Sequence, residues 1–98
     1  LTREGSTFAG RVAASALRAV GLPELIVSTA KDYEETAVAL AADPGRLNAL
    51  REKLNANLRT APLFDTEGFT RYFEAALKTI HARSLAGQAP DHVAIVAR

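Results

Sequence analysis

Cysteine is absent from this chain, and with it go disulfides, thiolate nucleophiles and thiolate metal ligands. Methionine is absent too, even at the first position, where the chain opens on Leu1 and runs almost at once into the helix-start signal Gly5-Ser6-Thr7. Such an opening predicts a piece of a longer protein. No charge of one sign dominates. Twelve Lys and Arg stand against eleven Asp and Glu, a formal net charge of +1, which leaves no field to draw the chain onto nucleic acid or an anionic membrane. No apolar run approaches the ~20 residues of a membrane span. The start shows no basic segment followed by an apolar stretch and a small-residue cleavage site, so no export signal is read there. These absences predict a soluble chain with neither a nucleic-acid nor a membrane partner.

Chemical motifs are equally scarce. His81 and His92 are separated by a predicted helix end and have no His-x-x-x-His or Glu-x-x-His partner, so no metal site is expected. No Gly-x-Ser-x-Gly turn presents a nucleophile. Acidic pairs such as Glu34-Glu35 fall on solvent-facing positions, where nothing raises a carboxylate pKa for acid–base work. No glycine-rich strand-to-helix phosphate loop is complete. The chain therefore offers no catalytic residue and no cofactor-binding motif of its own.

What is present is helix. With 48% apolar and 23% charged residues the composition is that of a globular domain. A chain of this length buries about 60–65% of its unfolded surface, enough for one modest core. Four helices are predicted, at roughly 6–20, 30–42, 44–60 and 66–85, an all-α arrangement, followed by a flexible tail over 87–98. The first starts at Ser6 or Thr7 as N-cap and stops before Gly21 and Pro23. Its interior is nearly all small, with Ala9, Gly10, Ala13, Ala14, Ala16 and Ala19, which predicts a poorly amphipathic helix buried on more than one side. Arg11 and Arg18 lie two turns apart on it with Ser15 between them.

Leu22 to Val27 is too short for a helix, and a strand of one or two residues fits Ile26-Val27. Thr29 with Asp32 marks the second helix, whose inward face is expected to carry Tyr33, Ala37, Leu40 and Ala41. Asp43-Pro44 starts the third as N-cap and first helical residue, with a stripe of Leu47, Leu50, Leu54 and Leu58. Arg46, Arg51, Lys53 and Arg59 make that helix locally basic, but Glu52 interrupts the run, and a solvated face explains it better than nucleic-acid binding. The fourth helix, capped by Asp65, presents Phe69, Tyr72, Phe73, Ala76, Leu77 and Ile80 on one face, spaced as core or interface. No segment repeats at a helical-repeat period.

One local feature has the geometry of a binding site. If Leu1-Thr2 ends a strand, then Gly5-Ser6-Thr7 is the loop from its carboxyl end into a helix N-terminus, the place where open α/β sheets hold ligands. Simple N-capping accounts for the same residues, and on local sequence it is the favoured reading.

Several stretches together resemble a family. GSTFAGRVAAS, LRAVGLPELIV, DYEETAVALAADPGRLNALREKL, APLFDTEGFTRYFEAAL and AGQAPDHV, in this order, resemble the C-terminal segment of O-linked N-acetylglucosamine transferase-type glycosyltransferases, the tetratricopeptide-linked, SPINDLY-like group. The resemblance covers essentially the whole chain, and its most specific parts are Arg11-Val12-Ala13-Ala14-Ser15, Gly21-Leu22-Pro23-Glu24-Leu25-Ile26, Pro62-Leu63-Phe64 and Pro90-Asp91-His92. It implies a GT-B parent of two Rossmann-like domains with a cleft between them. Such enzymes move N-acetylglucosamine from UDP-GlcNAc to a protein Ser or Thr with inversion and without a metal. By the resemblance, this chain is the end of the donor-binding domain, with Gly5, Ser6 and Thr7 beside the donor cleft. The family's histidine–threonine nucleotide motif and its candidate base would lie upstream of Leu1. Ser6 stands where the family commonly has glutamate, and Glu4 where it commonly has proline.

The resemblance further implies a chain that is inactive alone, whose partners are the rest of the parent catalytic region and, through the parent, a protein acceptor in the cytoplasm. Homodimerisation through apolar faces that the parent would cover is a further expectation. The competing reading is an independent helical protein-interaction module.

Overall fold

A computed structural model describes residues 1–96. They divide into two compact units, the first spanning Leu1–Phe64 and the second beginning at Asp65.

The first unit opens on a strand, β1 (Thr2–Arg3), and continues through α1 (Phe8–Val20), a 3₁₀ turn at Pro23–Leu25, and β2 (Ile26–Val27). The four expected helices are present, and the all-α expectation is amended only by a two-stranded sheet of two residues per strand. Thr2 pairs with Ile26 and Arg3 with Val27 in a parallel two-stranded sheet. Parallel neighbours cannot be joined by a tight turn, so the connection has to leave the sheet and return, and α1 is that crossover. Strands of two residues carry no readable alternation, so the sequence offers Ile26-Val27 as a short strand without showing its partner.

α1 begins and ends as its sequence dictates. Thr7 Oγ1 accepts from Gly10 N at 3.1 Å, satisfying one of the first-turn amides. At the other end Gly21 adopts φ 80°, while Gly21 N donates to Arg18 O and Leu22 N to Leu17 O. This Schellman arrangement needs the left-handed region that glycine enters without steric cost. The expected burial on several sides does not occur. Ala14 and Val20 are buried, with Leu17 half-buried beside them, while Phe8, 88% exposed, and Val12 stand on an open side. Small residues permit close approach on every side, but in this chain only one side receives a neighbour.

α2 (Ala30–Ala42) and α3 (Pro44–Asn57) follow with almost no break. Thr29 caps α2 by accepting from Asp32 N at 3.0 Å, and Asp43 caps α3 by accepting from Arg46 N at 3.0 Å with Pro44 in the first turn. Of the inward set expected on α2, only Leu40 is buried; Tyr33, Ala37 and Ala41 are exposed. Along the leucine stripe, Leu47, Leu50 and Leu54 are half-buried and only Leu58, just past the end of α3, is exposed. Leu22 completes the buried set of this unit, Ala14, Val20, Leu22 and Leu40.

α3 stops at Asn57 rather than near 60, because Asn57 has other work. Its side-chain amide donates to Val20 O at 2.8 Å, capping the last carbonyls of α1, and its own carbonyl accepts from Thr60 N and Ala61 N, which tightens the chain into the 3₁₀ turn Pro62–Phe64. Lys53 Nζ reaches Glu24 Oε1 at 2.8 Å and ties α3 to the turn before β2.

The second unit is α4 (Thr66–Leu85) and the segment after it. Asp65 Oδ1 accepts from Gly68 N at 2.8 Å, as its place before the helix predicts. The aromatic stripe is present but uncovered within the chain: Phe69 and Phe73 stack with ring centroids 6.1 Å apart, and they are 66% and 55% exposed. Leu77 and Ile80 continue the open face. Beyond Gly87, residues 88–96 carry no regular secondary structure; the last two positions of the tail expected over 87–98 lie outside the described residues.

The Gly21–Asn57 junction yields a test. A Cβ at Gly21 would stand 2.7 Å from Asn57 Nδ2, in addition to the strain of φ 80°. Gly21→Ala is expected to cost about 1–2 kcal/mol from the left-handed backbone alone, and more with the collision. Asn57→Ala should cost about 1–3 kcal/mol by stranding a carbonyl. Urea unfolding of the double variant should show a loss smaller than the sum, since removing the Asn57 amide also removes the collision.

Candidate functional site

The loop from β1 into α1 is held by backbone before any side chain acts. Glu4 N donates to Val27 O at 2.8 Å, extending the sheet by one rung, and Gly5 N donates to Gly10 O at 2.9 Å, folding the loop onto the first turn of α1. The approach is close: a Cβ on Gly10 would lie 3.1 Å from Gly5 Cα and 3.1 Å from Thr7 Oγ1. Glycine at position 10 is what lets the loop lie there.

Of the three loop residues singled out by sequence, the structure brings Gly5 and Thr7 against Gly10 and spends both on holding the loop. Ser6 is exposed at the bend between them. The hydroxyl of Thr7 is a cap, in agreement with the favoured local reading.

The polar partners that matter most here escape a sequence pattern. Glu4 and Arg18 form a two-point pair, Nη1 to Oε1 at 2.8 Å and Nη2 to Oε2 at 2.8 Å. This fork geometry is the strong form of an Arg–carboxylate contact. It joins the loop to the last turn of α1, where a cation also suits the helix dipole. Fourteen residues and a loop separate the partners, so no helical spacing announces them. Glu4 thus has a structural role in holding the loop to α1. Beside the pair, an open groove of about 490 Å³ runs along α1, with Phe8, Val12, Ala16 and Leu63 as its apolar lining and Arg11 and Arg18 at its polar edge.

Several polar residues of α3 are engaged within the chain. Lys53 is engaged by Glu24, Asn57 by the end of α1, and Asn48 donates to Glu52 at 3.0 Å. Among the described residues no group of three His, Asp or Glu is placed to hold a metal ion, and no helix is long and apolar enough to cross a membrane.

The Glu4–Arg18 pair predicts a pH dependence. Hydrogen bonding from Arg18 holds the Glu4 carboxyl below its ordinary 4.5, with the charges of Arg18 and Arg11 adding to the effect and partial desolvation opposing it. A depressed folded-state pKa means the pair's contribution is complete above about pH 4.5 and is lost as pH falls through the folded value. Glu4→Gln should therefore be less stable than the unaltered chain at pH 7, and the difference should shrink in thermal unfolding as pH falls below 4.5 and close once it passes the lowered folded value.

Comparison with known proteins follows the same stretch of chain. Residues 1–73 match the model of glycosyl transferase family 41. The chain is 37% identical over 92% of its length to SPINDLY of Oryza sativa subsp. japonica and 37% identical over 91% to SEC of Arabidopsis thaliana, both described as probable UDP-N-acetylglucosamine–peptide N-acetylglucosaminyltransferases. It is 33% identical over 89% of its length to the UDP-N-acetylglucosamine–peptide N-acetylglucosaminyltransferase of Caenorhabditis elegans. The chain spans about a tenth of the length of these relatives. No solved structure matches it. A family match that takes in the whole first unit, with relatives aligned over nine-tenths of the chain, places this protein in glycosyl transferase family 41.

Proposed function

We propose that this chain is the C-terminal structural portion of a GT-B glycosyltransferase that transfers N-acetylglucosamine from UDP-GlcNAc to Ser or Thr of a protein acceptor. The observation that carries the reading is the parallel pairing of β1 with β2 across α1 in a chain of this family. A strand, a crossover helix and a parallel neighbour form the repeating unit of Rossmann-like sheets. The loop Glu4–Thr7 leaves the carboxyl end of β1, the side on which such sheets hold nucleotides. In this reading Gly5, Ser6 and Thr7 line the approach to the donor cleft, and the chain contributes position rather than chemistry. The groups that contact the nucleotide and activate the acceptor belong to the preceding part of the parent, which works in the cytoplasm.

The open sides of the chain support a buttressing role. Phe8 and Val12 on α1, and Phe69, Phe73, Leu77 and Ile80 on α4, are apolar surfaces of the kind that mark an interface. The remaining catalytic region of the parent would cover them. Alone, the chain would be inactive and prone to pair with a second copy through the same faces.

Two measurements test this. Isothermal titration of the 98-residue chain with UDP should show no binding, while a protein extended upstream through the family's histidine–threonine motif should bind it; sugar transfer from UDP-GlcNAc by the 98-residue chain alone would overturn the reading. A fluorescent apolar dye should bind the isolated chain and be displaced in the extended protein. A monomer that unfolds cooperatively with no dye-binding surface would favour the independent helical interaction module instead.

A further inference from the structure

We propose that residues 88–96 form a strap docked along α4 and latched by Arg83. The backbone starts it. Gly87, at φ 67°, ends α4 with a second Schellman turn, in which Gly87 N donates to Ser84 O and Gln88 N to Arg83 O, each at 3.0 Å. That turn reverses the chain and sends it back beside the helix it has just left.

Arg83 then holds it from the side-chain end. The residue whose carbonyl accepts from Gln88 also turns its guanidinium onto the returning chain, with Nη2 donating to Ala89 O at 2.9 Å and lying 3.8 Å from Asp91 Oδ2. The Arg83 side chain is only 33% exposed, and its Nε is buried with no hydrogen-bond partner among the described residues. An arginine gives up hydration at one nitrogen only where something lies over it. Here that cover is the strap.

Further along, the strap alternates. Val93 and Ile95 are half-buried, whereas His92, Ala94 and Val96 are exposed, a period of two that belongs to an extended chain resting on a surface. Ala94, Ile95 and Val96 border a cleft with Arg71, Tyr72, Ala75 and Thr79, which lie one to three turns up the helix from Arg83. The reach agrees: seven extended residues from Ala89 to Val96 cover about 23 Å, and the twelve helical residues from Arg83 back to Arg71 rise about 18 Å. The strap covers the side of α4 that carries Tyr72, Ala75 and Thr79, and leaves the stripe of Phe69, Phe73, Leu77 and Ile80 open. Arg83 thereby decides which face of α4 is offered for docking.

Because the chain has no cysteine, one introduced thiol reports on one position. In the full chain, Val93→Cys should react with a maleimide about fivefold or more slowly than Ala94→Cys, its exposed neighbour. Adding Arg83→Gln should raise the rate at position 93 to that at 94, with the helical circular dichroism of α4 retained. Equal rates at 93 and 94 with Arg83 intact, or no change on adding Arg83→Gln, would overturn the proposal. Should Arg83→Gln fail to fold, backbone ¹⁵N relaxation of the unaltered chain decides: order parameters above about 0.6 from 89 to 96 support a docked strap, and values below that, as in a free tail, overturn it.

Discussion

Two rungs of parallel sheet govern the first unit. Once Thr2 lies beside Ile26 and Arg3 beside Val27, the chain between them must leave the sheet and return in the same direction, and the length available allows one helix of about four turns and a tight approach at each end. The loop after β1 has to be short, which forces Gly5 against Gly10. The return has to turn sharply, which forces Gly21 into the left-handed region. The remaining polar contacts of the unit secure this crossover: Glu4 with Arg18 across its near side, Asn57 on its last carbonyls, and Lys53 with Glu24 on the turn that leads to β2.

Local instructions in the sequence are legible almost residue by residue. Thr7, Thr29, Asp43 and Asp65 are all caps at the positions their spacing implies, since a cap is an interaction between residues three apart and needs no knowledge of the fold. Gly21 is legible for the same reason. The contacts that make these helices one structure are not. Arg18 reaches Glu4, Lys53 reaches Glu24 and Asn57 reaches Val20 across 14, 29 and 37 residues, and each looks in sequence like a solvated polar residue. Of the two strands, only β2 is visible, as the short apolar dipeptide Ile26-Val27; β1, Thr2-Arg3, has no apolar signal. The burial of α1 misled in an instructive way: its small residues report a helix able to be approached from several sides, not one that is so approached within these residues.

The loop candidate divides along the same line. Thr7 as a cap and the strand-to-helix setting of Gly5, Ser6 and Thr7 can be read from residue types, whereas the reason the loop is rigid cannot, because it lies in the Gly5–Gly10 backbone contact and in the Glu4–Arg18 fork. Under the proposed reading, the rest of a family 41 catalytic region would supply neighbours for the crossover helix and for the exposed aromatic stripe. Both ends of α1 are engaged by the chain's own residues, and its open side carries Phe8 and Val12 beside the exposed Arg11 and Ser15.

Ser6 has a different standing from its neighbours. The path of the loop is set by main-chain bonds at Glu4 and Gly5 and by the hydroxyl of Thr7, so the side chain at position 6 is exposed while contributing nothing to the loop's course. The frame is held without it, so size, charge or hydrogen-bonding character can change there without moving the backbone that carries it. A substitution at that one residue alters what the loop presents outward and leaves the architecture untouched.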